Sequence, residues 1–178
     1  MLEISDPFST NSSTLIFQKD VLCQIRRSDD PDTTILEEYL NIRLISDFNS
    51  QIIIASSDKD LFFSYYMNID QEQFIEIKTK QNIMITFQDF SSFIAKLVNQ
   101  SIKDGSIKVV FIIDEQGQCR IKFIENFKGY KFVDILDIEI QIMPEQLLRQ
   151  DITYKYLSLK QSNIQLSKQV HDLQRVSQ

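Results

Sequence analysis

The chain has 178 residues with 43% hydrophobic content, 13 Phe and 6 Tyr, which is enough bulk for one ordinary domain plus a short extension. With three Gly and three Pro it is not a disordered or linker-dominated chain. A net charge of −6, from 25 acidic and 19 basic residues, speaks against a nucleic-acid binder, which needs a basic stripe to neutralise phosphates.

In chain order, residues 1–12 are rich in Ser, Thr, Asn and Asp and are expected to fray. The opening Met-Leu-Glu-Ile-Ser-Asp-Pro is acidic and broken early, unlike a secretory leader, and no apolar run reaches a membrane span, so the chain reads as cytosolic and soluble. A strand is predicted from Leu15 to Arg27, bent near Lys19 and Asp20, followed by a polar turn over residues 28–34 with one proline. The alternation of Leu40, Ile42 and Leu44 makes residues 35–47 a second strand. After a turn at Phe48-Asn49-Ser50 comes a third, Gln51 to Ala55.

Residues 60–98 form one continuous program. Asp60 to Ile69 reads as a strand with Leu61, Phe63, Tyr65, Met67 and Ile69 on one face. Asp70 then caps a short helix, with Gln73 completing a capping box and Phe74 and Ile77 on its buried edge. Asn82 is placed to turn the chain in a left-handed conformation, and Ile83 to Thr86 reads as another short strand. A second helix starts near Phe87 and carries Phe90, Ile94, Leu97, Val98 and Ser101 on one side.

Three further β segments follow: Ile107 to Ile113, Cys119 to Glu125 after a turn at 114–118, and Phe132 to Met143 after a tip at 126–131. The fold class is therefore α+β: an antiparallel sandwich or barrel-like head of about seven strands with a helical insertion. Cys23 and Cys119 lie in strands and are too few for a disulfide framework or a zinc site, so they read as reduced packing residues. Beyond Pro144 the period changes. Ile152, Leu159, Leu166 and Leu173 recur at heptad spacing as a d series, with Tyr156, Asn163 and Val170 at the intervening a positions. A coiled-coil helix is predicted, and the single Asn at an a position favours a registered dimer. With only about three heptads, the stem is expected to continue past this sequence; the competing arrangement is a single helix lying back on the head. The expected domains are a globular head, 1–144, and the start of a parallel dimeric stem, 145–178.

The order and spacing of Asp60, Phe62, Phe63, Tyr65, Ile69, Glu72, Phe74, Lys78, Gln81, Phe87, Phe90, Leu97 and Val98 resembles, without a gap, the head of the spindle-assembly-abnormal family, the centriolar cartwheel hub proteins. The family usually has glycine where Asn82 sits and proline at the position of Ser91. The resemblance implies a structural self-assembly protein: coiled-coil dimers joined by head–head contacts into a ninefold ring that templates the centriole or basal body. It implies self-association as the main partnership, other centriolar proteins as further partners, and a place in the cytoplasm, cytoskeleton and centriole or basal body. No cofactor, metal, nucleic acid or membrane partner is expected.

In that family the hairpin before the last strand presents a large apolar residue that inserts into a neighbouring head. Counting back from Pro144 puts this hook on Phe132, and counting forward from Glu125 puts it on Phe127. Independently of the resemblance, Phe127, Tyr130 and Phe132 cluster at one tip, as interaction sites do. Against this, Phe132 shares the parity of Leu136, Ile138 and Ile140, which by itself makes it the first core residue of its strand. The second helix is the implied wall of the receiving pocket, giving Ile94, Val98, Ser101 and Ile102 as candidates.

No enzyme constellation is present. His171 has no Cys or Asp at ligand spacing, and Asp29, Asp30 and Asp32 lack the downstream Gly and Glu of a calcium loop. Two alternatives to the cartwheel reading remain: an end-joining repair scaffold of the same head superfamily, and a stemless cartwheel-like protein of the ciliary base.

Overall fold

A computed structural model describes residues 5–27 and 34–176; the polar turn predicted over 28–34, with Asp29, Asp30 and Asp32, lies almost wholly outside them. The chain divides into two compact units, Thr10–Met143 and a second that joins Met1–Ser9 with Pro144–Gln178.

The first unit is built on seven strands: β1 Thr14–Arg26, β2 Leu36–Ser46, β3 Gln51–Ser56, β4 Ser64–Ile69, β5 Ile107–Ile113, β6 Cys119–Phe127 and β7 Lys131–Ile142. Two helices, α1 Gln71–Gln81 and α2 Phe90–Asp104, stand between β4 and β5. The strands close into a barrel in the order β1-β2-β3-β4-β7-β6-β5. Every pairing is antiparallel except the closing one, where Cys23 to Arg26 of β1 run parallel to Val109 to Ile112 of β5. Closure leaves no open sheet edge along the paired segments. Inside, Val21, Cys23, Leu40, Ile42, Leu44, Phe111, Ile121, Phe123, Leu136 and Ile138 form one core with Phe74, Phe90, Ile94 and Val98 from the helices.

The β4–β7 seam is short, formed by the Tyr65–Ile142 and Tyr66–Gln141 pairs and the Met143 amide donating to the Ser64 carbonyl at 2.9 Å, and the rest of β7 has no β4 partner. The C-terminus of α1 fills the gap. The Gln81 side-chain amide donates to the Asp137 carbonyl and accepts from the Asp137 amide at 2.7 Å, so one side chain imitates a missing ladder strand. At the helix start, Asp70 and Gln73 form the expected capping box, and Asn82 ends the helix at φ 53°, ψ 45°, where glycine would also fit. The Phe74, Phe87 and Phe90 rings meet at 5.7 and 5.2 Å, pinning α1 to α2.

Three expectations are corrected. The strand predicted from Asp60 begins only at Ser64, because the Asp60 side chain accepts the Phe62 amide and its carbonyl accepts the Phe63 amide, closing a turn. Ile83 to Thr86 joins no ladder, and α2 starts at Phe90 after a turn at 87–89. The fray expected over residues 1–12, of which 1–4 lie outside the described residues, does not extend to 10–12: Thr10 and Ser12 donate their hydroxyls to Asp47, whose carboxyl is held below its usual range by Ser12 first, then Thr10 and the Phe48 amide. The β1–β2 register shifts between Leu15 and Phe17.

In the second unit the main element is α3, Glu145–Val176. Among the described residues no helix is long and apolar enough to cross a membrane.

Candidate self-association surfaces

The β6–β7 hairpin ends in a tight turn. Lys128 and Gly129 both have positive φ, 50° and 75°, as the hairpin turns that match strand twist require. The Tyr130 amide donates to the Phe127 carbonyl at 2.9 Å, and the Gly129 amide to Asn126 Oδ1 at 3.0 Å. Below the tip the outer face is braced by ion pairs. Arg120 pairs with Asp137, and the Lys122 ammonium lies 3.7 Å from Asp134 and 3.8 Å from Asp137.

Between these groups the register slips. Phe123 faces Leu136 but Ile124 faces Asp134, so Ile135 is an extra residue on β7, a bulge. Residues opposite one another across antiparallel strands share a face. Leu136 lies inward with Phe123, whereas Asp134 and Phe132 lie outward with Ile124 and Asn126. The bulge thus cancels the parity that made Phe132 a core residue, and its ring is 61% exposed. Phe127, opposite Lys131, is on the other face of the hairpin at 50%, and Tyr130 at the turn is 86% exposed. The Lys108 ammonium on β5 lies 5.3 Å from the centre of the Phe132 ring, and Lys128 lies 5.8 Å from that of Phe127.

The pocket candidates on α2 separate. Ile94 and Val98 are fully buried in the core and offer no surface to a neighbour, because α2 spends its apolar stripe on the barrel. Ser101 is half-buried and Ile102 exposed, and these two remain available. The helix is anchored by Ser91, whose hydroxyl donates to Gln51 at 2.5 Å with both residues buried, and by Lys19, which donates to Asn99 at 3.1 Å.

On α3 the heptad residues Tyr156, Leu159, Asn163, Leu166, Val170 and Leu173 are all exposed, and Ile152 is half-buried. An exposed apolar stripe at heptad spacing is the pattern that coiled-coil seams carry. His171 sits among exposed positions of the same helix. Cys23 and Cys119 are free and buried, and burial pushes both thiols up to about 12, which leaves them protonated and unreactive at neutral pH. No sequence signal points to Lys108, because it meets Phe132 only through the lateral register of β5, β6 and β7.

The family model of the centriolar protein SAS N-terminal domain matches residues 15–140. An N-terminal fragment of Leishmania SAS-6 containing part of its coiled coil superposes with a TM-score of 0.80 at 11% identity, covering 94% of this chain and 100% of that one. A fragment of Drosophila melanogaster Sas-6 dimerised via its coiled-coil domain gives 0.80 at 13% identity, over 96% of this chain and 85% of that one. The N-terminal coiled-coil dimer of C. elegans SAS-6 gives 0.69 at 13% identity, over 90% and 99%. At these identities the structures speak for the fold alone. No curated protein matches the sequence.

Proposed function

Because the chain belongs to the centriolar protein SAS N-terminal domain family, we propose that it is a self-assembling structural protein of the centriole or basal-body cartwheel, and not an enzyme. Residues 1–144 act as the head and 145–178 as the start of a parallel dimeric stem. Pairing of α3 through Ile152, Tyr156, Leu159, Asn163, Leu166, Val170 and Leu173 gives a dimer with two heads. Head–head contacts then join dimers, with Phe132 as the hook and the neighbour's Ser101 and Ile102 on the receiving side. Where the angle between the two interfaces closes, the product is a ring, and where it does not, a filament; ninefold closure would set the symmetry of the centriole or basal body, from which cilium assembly follows.

The observation that supports this most directly is that one protomer carries two separate exposed apolar surfaces, the aromatic hairpin and the α3 stripe. Both are of the kind that marks protein–protein contact. The C. elegans and Drosophila fragments, both dimerised through a coiled coil, add support for the stem.

Sedimentation equilibrium across a concentration series tests the mechanism on the wild type and Phe132→Glu. The wild type should grow beyond a dimer with concentration, and the variant should stop at the dimer. Growth that survives Phe132→Glu but not Phe127→Glu moves the hook to Phe127. A wild type that never exceeds a dimer removes the ring mechanism.

A further inference from the structure

We propose that Lys108 is a positioning residue for the hook: its ammonium caps one face of the Phe132 ring and holds the ring outward for a neighbouring head. The inference rests on the reading of Phe132 as the hook.

Lys108 is fixed by the barrel. It lies opposite Ile124 on β6, which lies opposite Asp134 on β7, so all three share the outer face with Phe132, two residues above Asp134. The half-buried Lys108 stem follows the sheet surface, which brings its Nζ to 5.3 Å from the ring centre, within range of a cation–π contact. The Ile135 bulge makes this meeting possible, since in a regular ladder of the same residues Phe132 would face the interior.

An exposed phenylalanine otherwise samples several rotamers, and a neighbour must freeze it on docking. Holding the ring in place beforehand removes that cost, and occupying one face leaves the other face and the edge for the partner. The Phe127 pair differs. Its cation, Lys128, belongs to the turn itself and sits at positive φ, so no neighbouring strand fixes it. Scaffold support therefore separates the two candidate hooks and falls on Phe132.

The contact has a signature independent of assembly: ring current over an aromatic face shifts the Lys108 ε-methylene protons upfield. That shift should be present in the wild type and lost in Phe132→Leu. In the full chain, Lys108→Met keeps the apolar stem but removes the cation, and should weaken association beyond the dimer about two- to fivefold, the range of an exposed cation–π contact. Lys108→Arg should associate like the wild type. An absent upfield shift overturns the proposal, as does Lys108→Met assembling like wild type while Phe132→Glu stops at the dimer; in that second case the hook itself stands. If Phe132→Glu also assembles normally, the hook reading fails and the role of Lys108 falls with it.

Discussion

Ser91 is a small departure with a structural reason. Where the family usually carries proline, this chain places a hydroxyl that donates to the buried Gln51 carbonyl, whose amide in turn donates to Ser46. Proline has no hydroxyl to offer, and a buried glutamine at the start of β3 needs a donor from the first turn of α2. Ser91→Ala should therefore destabilise the head by about 1–3 kcal/mol, the cost of leaving a buried acceptor unmet. The change would appear as a lower urea midpoint at unchanged slope. Adding Gln51→Leu should recover part of the loss, because the orphaned group is then gone. An unchanged midpoint in Ser91→Ala would mean that the pair contributes nothing to anchoring α2. Gln81 follows the same logic, since a side-chain amide pairs with a β7 peptide unit where the ladder runs out.

At the scale of elements, the bulge at Ile135 takes the hook off the inward parity of Leu136. Deleting Ile135 removes the extra residue and leaves a regular ladder in which Asp134 still faces Ile124 and Phe132 still faces Asn126. Phe132 then stays outward and Val133 inward, so the deletion should keep both the far-UV signature of the barrel and association beyond the dimer, unlike Phe132→Glu. Loss of assembly after the deletion, with the barrel intact, would show that an outward Phe132 is not enough to join heads. Features of this kind explain what the sequence could and could not convey. The Asp70–Gln73 box, the left-handed Asn82 and the apolar side of α2 were legible because each is set by residues within one or two helical turns. Ile83 to Thr86 has strand composition but no partner strand, and a ladder needs one. Leu61 continues the alternation of β4, yet the Asp60 side chain holds its neighbours in a turn. The bulge, the parallel β1–β5 closure and the Lys108–Phe132 contact all depend on counting residues across strands, which no local pattern records.

For the whole molecule the question is whether the two surfaces act as one device. The barrel and the α3 stripe lie in different compact units, so each can be disabled by substitutions in its own residues. A head–head contact built on one aromatic hook is expected to be weak alone and to gain strength when a stem holds two heads together, because the second contact becomes intramolecular. Leu159→Asp with Leu166→Asp puts carboxylates on two successive d positions and should leave monomeric chains with an intact barrel. In that variant the concentration needed for head–head association in sedimentation experiments should rise by about 10²–10⁴ relative to wild type, the usual loss when avidity is removed. Adding Phe132→Glu should then abolish the remaining association, leaving a monomer at every concentration. The contrary result is equally informative. If the stem variant builds the same large species at the same concentration as wild type, the heads assemble without the dimer, and α3 is not the first of two interfaces. A mechanism resting on heads alone would then have to replace the stem-linked ring, with closure set by the barrel surface and not by the angle between head and stem.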